Sequence, residues 1–221
     1  VPTTKNTIAE RVETLHQDMA GQIPDEVMAA FGSEQASLDV AGVPDGVTAP
    51  GATMPDGDLL DANGTPTTLT AARAGRPAVI VTYRGAWCPY CNVTLRTYQE
   101  NLAPVLAERG VELIALSPQK PDGSLSMAEK NALTFTVLSD PGNQIASSLG
   151  VVTAPTEDAR QAQQAMGIDL PAINADGGYG IPMPTVVIVD ADGTIRWIDV
   201  HPNYTTRTEV TDIVAALDLL S

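Results

Sequence analysis

Between Pro77 and Arg96 an apolar run, Ala78 to Val81, gives way at Gly85 to Trp87-Cys88-Pro89-Tyr90-Cys91 and then to a helical pattern. Both of the chain's cysteines lie in this stretch, two residues apart. An apolar run of this length, bounded by a glycine, reads as a buried strand. Pro89 suits a first helical turn, where a missing N–H has no partner to lose. Two thiols therefore stand where a strand hands over to a helix N-terminus. No other feature of the chain constrains its fold so strongly.

The nucleophilic form of cysteine is the thiolate, and a thiol pKa of about 8.5 falls to roughly 3.5–7.5 at helix N-termini and in Cys-x-x-Cys pairs. Cys88 stands at the helix start, where unpaired N–H groups and the positive end of the dipole favour an anion. Cys91 lies about one turn further in. This division makes Cys88 the attacking thiol and Cys91 the resolving thiol that closes an 88–91 disulfide. A reduced, inert pair filling core space is the bland alternative. A zinc site needs four ligands, and only His16 and His201 could join the pair, from separate elements. No metal and no cofactor are expected.

Thr7 and Glu10 have capping-box spacing, and Ile8, Val12, Leu15 and Met19 repeat at helical intervals, which predicts a helix over 4–20. Its apolar stripe packs on the domain that follows or forms a homodimer contact. A second short helix is expected from Pro24 to Phe31, stopped by Gly32, then a connector over 38–52. Leu59-Leu60 and Thr67 to Leu69 flank a Gly64 turn as a hairpin, and residues 71–76 form a link. After the motif, the helix is expected to run to Gly110, with Pro104 inside it as a potential kink. Val111 to Leu116, Phe135 to Leu138 and Thr185 to Val189 read as strands. Between the first two, a helix with a Ser126/Glu129 capping box is expected. Asp140-Pro141 opens another helix, and Asp192-Gly193 turns into an edge strand over 194–200. The span 209–220 closes the chain as a helix. Residues 151–182, helical over 157–166, read as a surface insertion. Strands alternating with helices imply an α/β sheet with parallel pairs, and the last hairpin adds an antiparallel edge. The expected division is 1–48, a helical extension and connector, and 49–221, the α/β domain with its insertion.

Three lysines and nine arginines against 27 acids give a formal charge of −15. That argues against nucleic acid, whose binding rests on cationic contacts with phosphate, and disfavours anionic membrane surfaces. No run approaches the roughly 18 apolar residues of a membrane helix, so no membrane partner is expected. No basic segment followed by an apolar one opens the chain, although a leader removed ahead of Val1 is compatible with a first residue other than Met. A close cysteine pair without further cysteines fits a redox couple in a reducing cytoplasm.

The strand, Trp-Cys-Pro-Tyr-Cys and helix together resemble the thioredoxin fold. Thr53-Met-Pro-Asp56, Glu112 to Pro118, Leu138-Ser-Asp-Pro141 and Pro184-Thr-Val-Val-Ile-Val-Asp190 occur in the order of the alkyl hydroperoxide reductase/thiol-specific antioxidant family. Tyr83-Arg-Gly-Ala-Trp-Cys-Pro-Tyr-Cys-Asn92 is most similar to that family's peroxiredoxin-like branch. The resemblance, over residues 50–220, implies a central mixed sheet flanked by helices. It also implies a cis peptide before Pro184, with Met183 presenting its backbone to substrate.

Two departures stand out. The family's Pro-x-x-x-Thr/Ser-x-x-Cys would place its proline and hydroxyl at Val81 and Gly85, and its late-strand arginine would fall on Pro184. Arg84 is then the nearest cation for a leaving oxygen, with an ion-pair role as its alternative. Trp87, Pro89 and Tyr90 would support the motif, and Trp87 would cover it or meet partners. His201 could act as a base or sit in solvent.

The leading reading is a thiol-dependent peroxidase drawing electrons from a thioredoxin-like or low-molecular-weight thiol. A disulfide oxidoreductase without peroxidase activity is the second reading. A redox-sensing module that does no catalysis is the third.

Overall fold

The structure, a computed structural model, describes residues 7–220. Helices α1 (Ile8–Met19) and α2 (Asp25–Ala41) come first, then the hairpin β1 (Leu59–Leu60) and β2 (Pro66–Thr67), and α3 (Leu69–Arg73). The strand β3 (Ala78–Thr82) leads into α4 (Pro89–Thr97), which continues through a π turn at Tyr98–Leu102 into α5 (Ala103–Glu108). Next come β4 (Glu112–Ser117), α6 (Pro121–Lys130), β5 (Thr136–Ser139) and α7 (Gln144–Ser148). The span that follows holds β6 (Val152–Thr153), α8 (Glu157–Ala165), α9 (Leu170–Ile173) and β7 (Ile181–Pro182). The chain closes with β8 (Thr185–Val189), β9 (Ile195–Val200), α10 (Val210–Ala216) and a 3-10 turn at Leu217–Leu220.

Seven strands form one sheet in the order β2-β1-β5-β4-β3-β8-β9. β3, β4 and β5 run parallel, while β8 pairs antiparallel with β3 and β9. β3 and β8 are buried at every position, as a strand covered on both faces must be. The period of two then divides the core. Val79 and Val81 face α1, α4 and α10 in one apolar cluster, and Ala78 and Ile80 face α7 in the other. This mixed sheet between helical layers is the α/β architecture expected.

Thr7 caps α1 with the expected box. Its hydroxyl accepts from Glu10 N–H at 3.1 Å, and Glu10 accepts from Thr7 N–H at 2.8 Å. The part of the predicted helix over 4–6 lies outside the described residues. Ile8 and Val12 join the core cluster that holds the motif, so the stripe of α1 is packed within the chain.

Three expectations need correction, and two further spans gain detail. α2 runs through Gly32 to Ala41 and ends at Gly42, whose φ is +66°. Nothing lies within 4 Å of a side chain at Gly32, so the helix loses only about 1 kcal/mol of propensity there and continues. The link at 71–76 is partly α3, capped by the Thr68 hydroxyl. Ser126 and Glu129 lie inside α6, which starts at Pro121. Pro104 brings a π turn ahead of it, because it has no N–H to return to Glu100 and the chain takes up an extra residue. Residues 151–182 are held at their neck by β6 pairing with β7, and α8 packs on α2 with Ala159 and Ala162 buried.

Candidate dithiol site

The backbone leaves β3 at Thr82 and stays paired for one more residue, Tyr83 N–H donating to Leu116 at 2.9 Å. It then turns at Gly85, where φ is +153°, a conformation glycine adopts without penalty. A β-carbon there would lie 2.3 Å from Trp87 Nε1. The indole fills the space in which the family's hydroxyl residue would stand.

Two side chains hold this turn. Gln119 accepts from Ala86 N–H at 3.0 Å and donates to the Tyr83 hydroxyl at 3.2 Å. Asn92 donates to the carbonyls of Ala86 and Cys88 at 2.8 Å each. Cys88 is the N-cap of α4 and Pro89 its first residue, as the sequence predicts. Cys91 follows one turn later. Both cysteines are free thiols, 0% and 1% exposed.

The two sulfurs share one proton unequally. Burial pushes Cys88 up, and its hydrogen bond to Cys91 and the charge there push it further, against the pull of Arg84 and Arg207. Burial also works against ionising Cys91. The hydrogen bond from Cys88, the Arg207 guanidinium and the Arg84 backbone and guanidinium outweigh it and draw Cys91 down to about 5. Of the two sulfurs, Cys91 is the one whose surroundings favour the thiolate.

Two guanidinium groups flank the pair, Arg84 buried and Arg207 half-buried. Arg84 is 4% exposed, stacked 3.7 Å from the Tyr204 ring centroid and 4.9 Å from that of Trp87. The reading of Arg84 as half of an ion pair is not met: among the described residues no carboxylate pairs with it. Arg207 comes from the loop after β9. Its Nη1 donates to the carbonyls of Tyr204 and Thr206, which leaves Nη2 3.5 Å from Cys91 Sγ.

Above the motif, the Tyr90 hydroxyl hydrogen-bonds His16 Nε2 of α1 at 3.1 Å, and the Tyr90 ring packs 6.1 Å from that of Tyr204. Two cavities of about 10 Å³, each the room of a single water, adjoin the site. Cys91, Arg207, Thr94 and Pro184 line one of them. Arg84, Met183, Pro184 and Glu34 line the other.

Cys88, Cys91, Trp87, Pro89, Tyr90, Arg84, Met183 and Pro184 are thus gathered in one neighbourhood. His201 is not among them. It bridges Asp199 at 3.0 Å and Thr206 at 2.7 Å, fastening its own loop. The peptide before Pro184 is trans, since no peptide among the described residues is cis. The residues around it explain the difference. Met183 N–H donates to Val151 at 2.7 Å, and its carbonyl accepts from the hydroxyls of Thr82 at 2.8 Å and Thr185 at 2.9 Å. The backbone expected to face substrate is committed inside the chain.

Arg207, Tyr204, Glu34 and Gln119 escaped the sequence reading. Asn92 directly follows Cys91, and its type, an amide within reach of the turn's carbonyls, was the one available signal. Arg207 lies 116 positions from Cys91, and no local pattern connects them. Among the described residues no three His, Cys, Asp or Glu side chains converge as metal ligands, and no helix is long and apolar enough to cross a membrane.

The family model AhpC/TSA matches residues 50–198. Over 107 residues the chain is 32% identical to thiol-disulfide oxidoreductase ResA of Geobacillus thermodenitrificans, covering 48% of this chain and 60% of that protein. Over 97 residues it is 32% identical to peroxiredoxin Bcp of Escherichia coli, covering 44% and 61% respectively. The matches thus span about three fifths of these relatives. Among solved structures, reduced Prx3 of Vibrio vulnificus in complex with hydrogen peroxide superposes with a TM-score of 0.62 at 19% identity, covering 77% of this chain and 99% of that one. Peroxidoxin BcpB of Mycobacterium tuberculosis superposes at 0.57 and 20%, covering 77% and 95%. At these identities the likeness is one of fold.

Proposed function

The chain belongs to the AhpC/TSA family, and from that premise we propose that it is a thiol-dependent oxidoreductase that reduces hydroperoxides at the Cys88–Cys91 pair. The observation that carries this reading is the pair itself: two free, buried thiols at a helix start, flanked by the guanidinium groups of Arg84 and Arg207. Relatives named as a peroxiredoxin and as a thiol-disulfide oxidoreductase support the same chemistry.

In the reaction a thiolate attacks one oxygen of the peroxide. The O–O bond breaks, the sulfur becomes a sulfenic acid, and the other oxygen leaves as an alkoxide or hydroxide that takes up a proton. Arg84 has no carboxylate partner and would stabilise the charge on the leaving oxygen. The second sulfur then displaces hydroxide from the sulfenic acid and closes the disulfide. A thioredoxin-like dithiol, or two low-molecular-weight thiols, restores the pair by exchange. We keep the order of Cys88 attacking and Cys91 resolving: the thiolate favoured at Cys91 takes the proton from Cys88 as Cys88 attacks, and passes it to the leaving oxygen. Trp87, Pro89, Tyr90, Met183 and Pro184 would shape the approach of the substrate.

The test is peroxide consumption coupled to a thioredoxin system, with Cys88→Ser and Cys91→Ser alongside. Turnover lost in both variants, with Cys91→Ser stalling as sulfenic acid after one equivalent, is the expected result. One observation favours the second reading, a disulfide reductase without peroxidase activity: the indole of Trp87 stands where the family's hydroxyl would be. Reduction of insulin disulfides with no peroxide consumed would decide for it.

A further inference from the structure

We infer that Arg207 is a catalytic residue for the resolving step, its guanidinium holding Cys91 as an anion ready to close the disulfide. This rests on the dithiol reading above and assigns the second sulfur a partner of its own.

The need for such a partner follows from the fold. A helix N-terminus favours an anion at Cys88, but its influence fades within the first turn, where Cys91 already lies. Cys91 is also 1% exposed, and burial disfavours a thiolate. Some other positive group must supply what dipole and water do not. The ionisable groups facing Cys91 are Cys88, Tyr83, Tyr98, Arg84 and Arg207. Burial pushes both tyrosines up, Tyr83 to about 12, so they stay neutral. Both guanidinium groups act on both sulfurs, but Arg84 is stacked between two rings and gives Cys91 no side-chain hydrogen bond. Beyond the neighbouring Cys88, Arg207 is the side chain among the described residues that donates a hydrogen bond to Cys91 Sγ, at 3.5 Å.

That contact is built. The carbonyls of Tyr204 and Thr206 hold Nη1, and among the described residues no carboxylate pairs with the guanidinium. Asp199 braces the loop by accepting from the Thr208 hydroxyl at 2.8 Å and meeting His201 at 3.0 Å. Asn203 ties it to Asp39 of α2 at 2.9 Å. A cation placed this way serves the step in which Cys91 is the nucleophile. The Cys91 thiolate attacks the Cys88 sulfenic sulfur, the S–S bond forms, the S–O bond breaks, and hydroxide leaves and is protonated to water. Once the disulfide has formed, Arg207 faces no charge.

The experiment reads the sulfur directly and needs no peroxide, so a failed peroxidase assay cannot be mistaken for its failure. In Cys88→Ser protein, whose only thiol is Cys91, thiolate absorbance at 240 nm is followed against pH, alone and with Arg207→Gln or Arg207→Lys added. The expected result is a Cys91 that ionises well below the ordinary thiol value of roughly 8.5. Arg207→Gln should lower its acid dissociation constant by at least about tenfold, the factor of one pK unit, and Arg207→Lys should restore part of that loss. An unchanged titration in Arg207→Gln overturns the proposal, as does an Arg207→Lys no better than Arg207→Gln. Should Arg207→Gln fail to fold, the Cys88→Ser protein still decides, because ionisation at the ordinary thiol value overturns the assignment by itself.

Discussion

The Tyr204 hydroxyl donates to the carboxylate of Glu34 at 2.9 Å, and both residues are buried, at 5% exposure each. Glu34 belongs to α2 and Tyr204 to the loop that covers the dithiol, so the bond fastens an N-terminal helix over Arg84 and the two sulfurs. Glu34 also accepts from Thr156 N–H at 3.1 Å, at the entrance to α8. Glu34→Ala leaves a buried hydroxyl and an amide without acceptors. The expected cost is about 1–3 kcal/mol, measured by urea unfolding. Reduced Glu34→Ala protein should also be alkylated by iodoacetamide several-fold faster than the parent under native conditions. An unchanged alkylation rate would show that α2 does not guard the pair.

Gly85 cannot accept the side chain its family position suggests. Gly85→Thr places a β-carbon against the Trp87 indole at a φ of +153°. Such backbone strain costs about 1–3 kcal/mol, and the indole must leave its stack on Arg84. The variant should melt at a lower temperature, change its tryptophan emission and lose peroxide turnover. A gain in turnover would mean that the hydroxyl, rather than the indole, is what this site lacks.

The pH dependence of stability should differ between redox states. The Cys91 thiol is drawn down in the folded protein to about 5 from an ordinary value of 9.0. The unfolded chain therefore binds more protons between those values, and stability rises with pH across the window. The contribution is complete above about pH 9 and disappears as the pH falls towards 5. Cys88, raised when folded, acts oppositely only above its own unfolded value. Denaturant titrations at pH 6 and pH 8 should show reduced protein gaining stability over this interval relative to Cys91→Ser. Disulfide-bonded protein has no thiol to titrate and should not show that gain.

Glu209 anchors the start of α1 to the body of the chain. Its carboxylate accepts from Ile8 N–H and Ala9 N–H, both at 2.9 Å, where a negative charge also meets the positive end of the helix. Glu209→Ala should destabilise the protein by about 0.5–2 kcal/mol, the range of a lost helix cap, as read from urea unfolding. His16 on α1 holds the Tyr90 hydroxyl, so the variant should also broaden the Tyr90 ring resonances.

The parts of this molecule that were legible in the sequence are those written in local chemistry. The apolar run Ala78 to Val81, the break at Gly85 and Pro89 at a helix start specify β3, the turn and α4. Thr7 and Glu10 specify the start of α1. Gly32 misled because a helix interior tolerates a glycine on an open face, whereas Gly42, with its positive φ, ends the helix. Residues 151–182 stayed obscure because α8 buries alanines, whose small side chains give a weak periodic signal. At the trans bond before Pro184, Met183 is held by Val151 and Thr82, distant in the sequence, as well as by Thr185. Arg207 reaches Cys91 only through tertiary structure.

The contact between Gly85 and Trp87 also limits the paths along which such a site can evolve. A β-carbon at 85 and an indole at 87 claim one volume, so the two positions cannot drift independently. A lineage moving from this arrangement to a hydroxyl at 85 must shrink the residue at 87 first, or change both together. In the reverse direction, glycine must be in place before tryptophan can arrive. The intermediate pairing a small residue at 87 with glycine at 85 is open to both routes, and it leaves Arg84 with one ring to stack on instead of two.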